Sequence, residues 1–324
     1  MSAFHRLLAL AACAVILLGV TAARAAYPER PVRVVIPYSS GGPADLLGRY
    51  VAGKLAASLG QPFVSDNRPG AGLVVGAQYA ANSTPDGYTL FLAASSMLVP
   101  TGSRARTPAD NLKDFACISL VATLPLVVIA NPSLPVQNGR DLTDYVRKRP
   151  NELHYGPSGI GSLTHLAGEL FDQMAGTRMV HVPYRGINEA LTDLMGNRVQ
   201  LSFAGAPIAL PLAKGGKVRA LAVTSSARTA SAPELQTIAE SGLPGYSVTP
   251  WYGLVAPAAT PAPVIKKLHQ DVVRVLQQAD LKERWLALGA DPTYSKSPEE
   301  FAGLMRSETA KWAKLVGQGR IKLE

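Results

Sequence analysis

Cysteine is almost absent from this 324-residue sequence, which contains only Cys13 and Cys117. Cys13 lies in an N-terminal apolar stretch that we interpret as a cleaved export signal, so the mature chain would keep a single thiol. A single thiol excludes an internal disulfide, even in an oxidising compartment. Cys117 stands in the apolar run Phe115-Ala116-Cys117-Ile118, and we expect it to be a buried, unreactive core residue.

Aromatic residues and clustered charge are also scarce. Aromatic side chains make up 6% of the sequence, and its formal net charge of +9 is scattered, with basic clusters at Arg147-Lys148-Arg149 and Lys266-Lys267. A nucleic-acid surface needs a concentrated basic patch, often interleaved with aromatic residues. The composition therefore argues against a nucleic-acid partner and favours a chain that handles small anions.

Long apolar runs are missing except at the N-terminus. The stretch 7–20 is too short to span a bilayer comfortably, follows a basic start, and precedes the small-x-small cleavage pattern Ala23-Arg24-Ala25. We therefore predict that residues 1–25 are a signal peptide and that the mature protein is exported in soluble form to the periplasm. The alternative is a lipoprotein signal with Cys13 lipidated, and sequencing the mature N-terminus distinguishes the two.

The sequence also lacks complete catalytic signatures. Residues 156–160 miss the last glycine of the nucleophile elbow, and residues 159–164 miss the last glycine of the dinucleotide fingerprint. Gly70 and Gly76 enclose five residues where the glycines of a P-loop enclose four, and the Lys and Ser/Thr that must follow are missing. The histidines within 154–181 have no metal-ligand spacing, and no paired carboxylates stand out. We therefore expect neither an enzyme nor a metal or other cofactor.

What the sequence does contain is a pattern of strand, glycine loop and helix that occurs twice. The first copy covers 32–36, 37–42 and 43–59, and the second covers 153–155, 156–162 and 163–175. Each copy starts an alternation of strands and helices, which favours a mainly parallel sheet flanked by helices. A loop of this kind leaves free backbone N–H groups at a helix N-terminus, where an anion is stabilised.

Two such copies predict an α/β protein with two lobes. We assign residues 26–130 and 250–324 to lobe 1 and residues 131–249 to lobe 2. The extended stretches near 118–130 and 247–256 would form two crossover strands between the lobes. A ligand would then be captured by closure around a hinge.

The predicted ligand site collects polar groups from the carboxyl ends of strands, where open α/β sheets bind their ligands. The candidates are Ser39, Ser40, Gly41, Gly42, Ser95, Ser96, Ser158, Gly161, Ser162, Thr164, Tyr184, Thr224 and Ser225. Ser162 or Thr164 could instead serve only as a helix cap. Asp45 could cap its own helix, or accept a hydrogen bond from a ligand group and so act as a selector.

Several ordered motifs across nearly the whole mature chain resemble the Bug family of periplasmic solute receptors of tripartite tricarboxylate transporters. They are Tyr27-Pro28-Glu29-Arg30-Pro31, the 37–45 loop, Asn67-Arg68-Pro69-Gly70-Ala71-Gly72, Pro85-Asp86-Gly87-Tyr88-Thr89-Leu90, Lys113-Asp114-Phe115, Asn131-Pro132-Ser133-Leu134-Pro135, His165-Leu166-Ala167-Gly168-Glu169-Leu170-Phe171, His181-Val182-Pro183-Tyr184-Arg185-Gly186, Arg219-Ala220-Leu221-Ala222-Val223-Thr224-Ser225, Gly242-Leu243-Pro244-Gly245-Tyr246 and Trp251-Tyr252-Gly253-Leu254-Val255-Ala256-Pro257.

The resemblance implies a two-lobed, type II periplasmic-binding fold that closes on a small organic carboxylate and delivers it, as a monomer, to membrane permease subunits. In such receptors backbone groups and ordered waters hold the ligand carboxylate. Carried over to this sequence, the resemblance implies contacts from Tyr38, Gly41, Gly42, Asp45, Ser158, Gly161, Ser162, Thr164, His165 and Tyr184.

Two departures from the family pattern bear on the ligand. Ser39-Ser40 replaces a proline pair and adds two hydroxyls, and Ala204-Gly205-Ala206 stands where an acidic residue and asparagine are common. The second change removes a partner for a ligand amine, so we expect an organic acid without an ammonium group. A sensor that presents its closed form to a membrane kinase, and a hydrolase on the same lobes, are alternatives that the sequence leaves open.

Overall fold

The structure, a computed structural model, describes residues 27–100 and 113–317 and shows two lobes, each a β-sheet flanked by helices. The predicted signal peptide, residues 1–25, lies outside the described residues. The strands are β1 Val32–Ile36, β2 Phe63–Asn67, β3 Thr89–Ala94, β4 Phe115–Thr123, β5 Leu126–Ala130, β6 His154–Tyr155, β7 Val180–His181, β8 Leu201–Gly205, β9 Arg219–Val223, β10 Trp251–Pro257 and β11 Asp291–Pro292. The helices are α1 Pro43–Leu59, α2 Val74–Ala81, α3 Gly139–Lys148, α4 Leu163–Ala175, α5 Ile187–Met195, α6 Ala206–Lys214, α7 Ala262–Leu276, α8 Ala279–Ala287 and α9 Pro298–Gly317, with short 3-10 helices at Ala71–Leu73 and Ser95–Leu98.

The first sheet, which defines the first lobe, has the strand order β2-β1-β3-β10-β4-β11. Its strand β1 is β-branched at four of five positions, the composition that suits a buried strand. Alternate residues of β1 face opposite layers: Val32 and Val34 pack with helices α1, α7 and α8, whereas Val35 packs on the side of α2 and α9. The first sheet is therefore covered on both faces.

The second sheet, which defines the second lobe, has the strand order β7-β6-β8-β5-β9. All five residues of its strand β5 are buried and apolar, as expected for a strand covered on both faces. Helices α3 and α4 pack on one side of this sheet, and α5 and α6 pack on the other.

Both sheets are mixed, so the prediction of mainly parallel sheets is wrong in this detail. β1 pairs in parallel with β2 and β3, and β6 with β7 and β8, but β10 and β5 are antiparallel to both of their main neighbours. The cause is the return of the chain between the lobes, which runs against the parallel strands. Moreover, β5 belongs to the second sheet, so the chain first crosses at Leu124 and Pro125 and not at residue 130.

The crossovers leave the sheets at the carboxyl ends of the parallel strands. β10 begins beside the end of β3, because Tyr252 pairs with Ala94, and β5 begins beside the end of β8, because Leu126 pairs with Gly205. The loops that follow β1 and β6 therefore lie on the two edges that face each other across the crossovers. We call the space between these edges the cleft.

Two side-chain hydrogen bonds also link elements of the two lobes, one from Thr229 and one at the start of the second crossover. Thr229 Oγ1 of the second lobe donates to Asp291 Oδ2 of the first, at 2.7 Å, and Lys311 Nζ on α9 donates to the carbonyl of Ser247, at 3.1 Å. A hinge motion that separates these elements must break both bonds.

Gly253 lies in the centre of the first sheet, directly beneath α9. A Cβ at this position would lie 2.7 Å from Phe301 Cε1 and 3.1 Å from the carbonyl oxygen of Ser119. We expect Gly253→Ala to lower the free energy of unfolding by about 1–3 kcal/mol, the usual cost of overpacking a core, in denaturant titrations. Gly53 on helix α1 is the matched control, since a Cβ there meets nothing within 4 Å. Gly53→Ala should instead stabilise the protein by about 0.5–1 kcal/mol. Equal effects of the two changes would contradict this packing.

Candidate ligand-binding site

The first glycine loop follows β1 and is closed by a side chain of the helix that comes after it. Gly41 has a φ of +90°, a left-handed conformation that favours glycine. Its backbone N–H donates to Asp45 Oδ2 at 2.9 Å, and Ser40 Oγ donates to the same oxygen at 3.3 Å. The Asp45 carboxylate therefore fixes the shape of the loop.

Asp45 is only 1% exposed and accepts further hydrogen bonds from inside the first lobe. Arg49 Nε lies 2.9 Å from both of its oxygens, and Asn67 Nδ2 donates to Oδ1 at 2.7 Å and to the Tyr38 carbonyl at 2.9 Å. Burial raises the pKa of Asp45, but the hydrogen bonds from Arg49, Gly41 and Asn67 outweigh it and hold the pKa below its usual value. Asp45 is thus a buried anion whose contacts are internal, and its predicted role as a ligand selector is not needed to explain it.

The second glycine loop follows β6 and is built in the same way. Gly161, with a φ of +72°, donates its backbone N–H to His165 Nδ1 at 3.1 Å. Ser158 donates its own N–H to Thr164 Oγ1 at 2.8 Å. Ser162 caps helix α4 by accepting from the His165 N–H at 3.2 Å, which is the capping role that the sequence left open.

His165 is buried behind this loop at 2% exposure and does not stand at its surface. Because Nδ1 accepts the Gly161 N–H, the neutral ring carries its proton on Nε2, which lies 3.6 Å from Glu169 Oε1. The ring stacks on His181, with centroids 4.1 Å apart, and Tyr155 donates to the same Glu169 oxygen at 2.7 Å. His165 therefore positions the second loop from below.

The two loops share one arrangement: a glycine with positive φ donates its N–H to a side chain four residues later. In the first loop that acceptor is the Asp45 carboxylate, and in the second it is the His165 imidazole. Both acceptors are buried, while Ser39, Ser40 and Gly41 are exposed. The surface that each lobe presents to the cleft is therefore its loop backbone, which is exposed in the first loop and mostly half-buried over 158–162 in the second.

The predicted tyrosines lie beside these loops. Tyr38 is half-buried, with its ring edge-to-face against Tyr252 at a centroid distance of 5.9 Å. Tyr184 packs so closely on Gly156 that a Cβ there would lie 2.7 Å from its ring. Its hydroxyl donates to Asp193 at 2.8 Å, and burial together with this bond raises its pKa to about 12. Tyr184 therefore supports the second loop through its ring.

Several predicted hydroxyls take part in internal hydrogen bonds at the crossovers. Ser95 Oγ accepts the Trp251 N–H at 3.1 Å, and Thr224, fully buried, donates to the Val248 carbonyl at 2.6 Å. Ser225 Oγ donates to the Ala227 carbonyl at 2.6 Å, and Ser96 is half-buried beside Ser95. The structure gives Ser95 and Thr224 a role at the two crossovers, and contact with a ligand stays a prediction for all four residues.

Two glycines that the sequence analysis did not select belong to the same edges. Gly186 and Gly205 are the N-caps of α5 and α6, as Gly42 is of α1, and no side chain caps any of the three helices. A glycine cap leaves the first-turn N–H groups open to an external acceptor. The signal that could have found them is a glycine placed directly between a strand or strand-end loop and a helix.

The Ala204-Gly205-Ala206 departure lies at the start of α6. Ala204 and Ala206 are fully buried, and the Ala206 N–H donates to the Pro125 carbonyl at the crossover, at 3.0 Å. This end of β8 therefore presents no carboxylate to the cleft.

Neither a metal-binding cluster nor a membrane-spanning helix is found among the described residues. No group of three or more His, Cys, Asp or Glu side chains is placed to hold a metal ion within 27–100 and 113–317. In the same part of the chain no helix has the length and apolar character of a membrane span.

Two lobes with braced glycine loops on facing edges define the class of two-lobed solute-binding receptors. The chain belongs to the TctC family, described as the tripartite tricarboxylate transporter family receptor, whose profile matches residues 47–320. The resemblance to Bug receptors and the two-lobed α/β fold are therefore confirmed. The role of this family is that of a receptor and not of an enzyme.

Individual relatives agree with this assignment. Protein BugT of Bordetella pertussis is 35% identical over 300 residues, which cover 92% of each chain. An R. palustris protein solved with adipate is 35% identical, with a TM-score of 0.72 over 90% of this chain and 97% of that one. MatC of Rhodopseudomonas palustris, solved with bound malate, is 31% identical, with a TM-score of 0.69 over 90% and 100% of the two chains.

The bracing of the second loop can be tested at its amide. Asparagine in place of His165 would keep an acceptor close to the position of the imidazole Nδ1, whereas leucine has none. We therefore expect His165→Leu to speed hydrogen exchange of the Gly161 amide about fivefold and His165→Asn to change it much less, since a lost hydrogen bond is worth about 1 kcal/mol. Nuclear magnetic resonance reads the exchange rate directly. Equal exchange in both variants would show that His165 does not hold the loop.

Proposed function

We propose that this protein is a periplasmic receptor that closes its two lobes on a small organic carboxylate and delivers it to the membrane subunits of a tripartite tricarboxylate transporter. The observation that carries the proposal is the matched pair of braced glycine loops on facing edges of the two sheets. Each loop holds its backbone open toward the cleft without help from a ligand, which reduces the ordering needed on binding.

The charge of the ligand follows from the ends of the helices. α1, α4, α5 and α6 all begin at the carboxyl ends of strands, so their positive dipole ends point toward the cleft edges. Three of them have glycine caps without a side-chain hydrogen bond, which leaves first-turn N–H donors in α1 and α5, whereas the Ala206 N–H of α6 is taken by the Pro125 carbonyl and Pro207 has no N–H. These donors suit carboxylate oxygens, and the adipate and malate bound to relatives are dicarboxylates of this kind.

The same site supports a ligand without an ammonium group. The buried alanines 204 and 206 offer no carboxylate partner, and the Asp45 carboxylate is enclosed by Arg49 and Asn67. The exposed hydroxyl of Ser39 adds a donor on the first loop and favours a further acidic or hydroxyl oxygen on the ligand, whereas the Ser40 hydroxyl is donated to Asp45. The site residues proposed for direct contact are Tyr38, Ser39, Ser40, Gly41, Gly42, Ser158, Gly161 and Ser162.

The periplasmic location and the permease partner rest on the family, whose members are periplasmic receptors. The predicted signal peptide at residues 1–25 is consistent with that location. Uptake of the bound carboxylate should fall when the gene is deleted, and unchanged uptake with a lost transcriptional response would favour the sensor alternative.

A thermal-shift and calorimetric screen of adipate, malate, glutamate and aspartate tests the ligand class. At a ligand concentration of about 100 times Kd, binding adds about 2.7 kcal/mol to the folded state, which raises the Tm by several degrees. We expect adipate or malate to raise it and the two amino acids to bind more weakly. Tighter binding of glutamate or aspartate than of either plain dicarboxylate would refute the absence of an ammonium partner.

A matched pair of glycine variants tests whether the ligand binds in the cleft. A Cβ at Gly42 has room within its own loop, so Gly42→Val should fold and place its branches in front of the loop donors. Gly53→Val lies on the same helix in open space and should leave the shift intact. Retained binding in Gly42→Val would move the ligand away from the first loop.

A further inference from the structure

A second cavity lies on the outer side of the first lobe. It has a volume of about 1100 Å³ and lies between α7 and α9, beside the beginning of β4. The cleft is at the other end of that strand, because β4 starts at Phe115 and reaches the crossover after Thr123. Eight residue steps of about 3.4 Å along β4 separate the cavity from the cleft by some 27 Å. The cavity is therefore separate from the proposed carboxylate site.

The floor of this cavity is apolar. Phe115 and Ile265 are 7% and 8% exposed, and Ala116, Cys117 and Ala302 complete it. Cys117 is half-buried and not fully buried as expected, and burial raises its pKa to about 11, so the thiol is neutral at physiological pH. Such a floor suits an apolar ligand body and disfavours a small, fully hydrated anion.

The rim of the cavity is cationic. It carries four exposed cations and one carboxylate: Lys113, Lys266, Lys296, Arg306 and Glu299. Among the described residues none of the four cations forms a side-chain ion pair. Their exposure does not explain this, because exposed arginines elsewhere in the described chain do form ion pairs. An unneutralised cationic rim above an apolar floor is complementary to an amphipathic anion.

We propose that this cavity is a second binding site, for an amphipathic organic anion whose apolar body lies on the Phe115 and Ile265 floor and whose carboxylate or sulfonate meets Lys266 and Arg306. The ligand class differs from that of the cleft, where the donors are backbone N–H groups and the ligand is small and polar. Occupation of the cavity does not require the lobes to close, since all of its lining residues belong to the first lobe.

Fluorescence of 1-anilinonaphthalene-8-sulfonate measures this site directly, with dodecanoate below its micellar concentration as competitor. We expect saturable binding that dodecanoate displaces and that saturating adipate or malate does not. Displacement by adipate or malate would place the probe in the cleft and overturn the proposal, as would the absence of saturable binding. Failure of the cleft ligands to bind at all leaves this result unaffected, so the two proposals fail separately.

Charge-reversal variants test whether the cationic rim contributes to binding. Lys266→Glu combined with Arg306→Glu should weaken binding of the probe and of dodecanoate at least about tenfold, since two cations become anions. Lys214→Glu combined with Lys217→Glu makes the same change at exposed positions of the second lobe. This control should leave the affinity for the probe and for dodecanoate within about twofold of the wild-type value. Equal losses in both pairs would show non-specific charge attraction and overturn the site.

Cys117 gives an independent readout within the cavity. Alkylation of this thiol by iodoacetamide at pH 8.5, quantified on the Cys117 peptide by mass spectrometry, should slow several-fold in the presence of dodecanoate. The charge-reversed variant should lose this protection. Unchanged alkylation in the wild-type protein would show that dodecanoate binds elsewhere.

Discussion

Replacing Asp45 by alanine is expected to weaken carboxylate binding at least about tenfold and to lower the free energy of unfolding by about 2–3 kcal/mol. The buried carboxylate accepts from four groups at once: Ser40, Gly41, Arg49 and Asn67. Alanine supplies no acceptor, so the Gly41 N–H loses its partner inside the lobe and the Asn67 amide nitrogen keeps only the Tyr38 carbonyl. The first loop then has no bond that holds its left-handed glycine in place.

The affinity loss follows from the loop and not from a missing ligand contact. When Gly41 is free to leave its φ of +90°, the loop N–H groups no longer point together, and ordering them again opposes binding. Isothermal titration with adipate or malate measures the affinity, and denaturant titration measures the stability.

Asp271 on α7 provides a matched control for this change. It is likewise buried, at 2% exposure, and is held by two cations where Asp45 has one: Lys267 at 3.0 Å and Arg274 at 2.9 Å. Its helix lies away from the cleft loops, so Asp271→Ala should lower stability without changing the Kd. An Asp45→Ala protein that binds with wild-type affinity would show that the first loop keeps its shape without the carboxylate.

The sequence was sufficient for the parts of the fold that depend on neighbouring residues. β1, its glycine loop and α1 follow from a β-branched run, two glycines and an apolar helical spacing, all within 32–59. The same local pattern placed the second loop and α4. These elements were predictable because their cause lies in the chain immediately around them.

Strand direction and lobe assignment depend on distant pairing, which composition does not encode. The apolar strands β4 and β5 have similar sequences on either side of Pro125, yet β4 pairs with β10 and β5 with β8. The stretch 118–130 is predicted to be one crossover strand, but it is divided at Pro125, where the chain changes sheets. The short strands β6, β7 and β11, each two residues long, also form only through their neighbours.

The site was predictable to the level of its loops and not to the level of each side chain's contact. A hydroxyl at a strand end is equally suited to a ligand or to a nearby carbonyl, and the structure gives Thr224 the carbonyl of Val248. Asp45 and His165 stand four residues after a loop glycine, and only the helix geometry turns that spacing into a hydrogen bond to the loop.

Asp172, on α4 seven residues beyond His165, should make the stability of the protein fall as the pH rises. Its side chain is buried, its Oδ2 accepts the Met179 N–H at 2.7 Å, and its Oδ1 has no partner among the described residues. Burial, aided by the nearby Glu169 charge, raises its pKa from 3.8 to about 7. The folded state therefore holds a proton that the unfolded state releases near pH 4, and the resulting stability is lost between pH 4 and pH 7.

Asp172→Asn removes this titration while keeping an acceptor for Met179. The stability of the variant relative to the wild type should rise by about 4 kcal/mol between pH 4 and pH 8, from 1.36 kcal/mol for each unit of pKa difference. Thermal unfolding at a series of pH values should show the difference growing to pH 7 and then levelling. A difference that stays constant from pH 4 to pH 8 would mean that the carboxyl titrates equally in the folded and unfolded states.

His181, which lines a cavity of the second lobe together with Asp172, acts with the opposite sign and provides the internal control. Burial, together with the adjacent His165 ring, lowers its pKa from 6.5 to about 4, so its contribution is complete above pH 6.5 and is lost as the pH falls toward 4. The two groups therefore oppose each other between pH 4 and 6.5 and partly flatten the wild-type profile. Asp172→Asn should reveal the acid-side loss caused by His181, and His181→Phe, which keeps a ring against His165, should reveal the loss toward neutral pH caused by Asp172. The double variant should lack both slopes, because each belongs to one titrating group of this cavity.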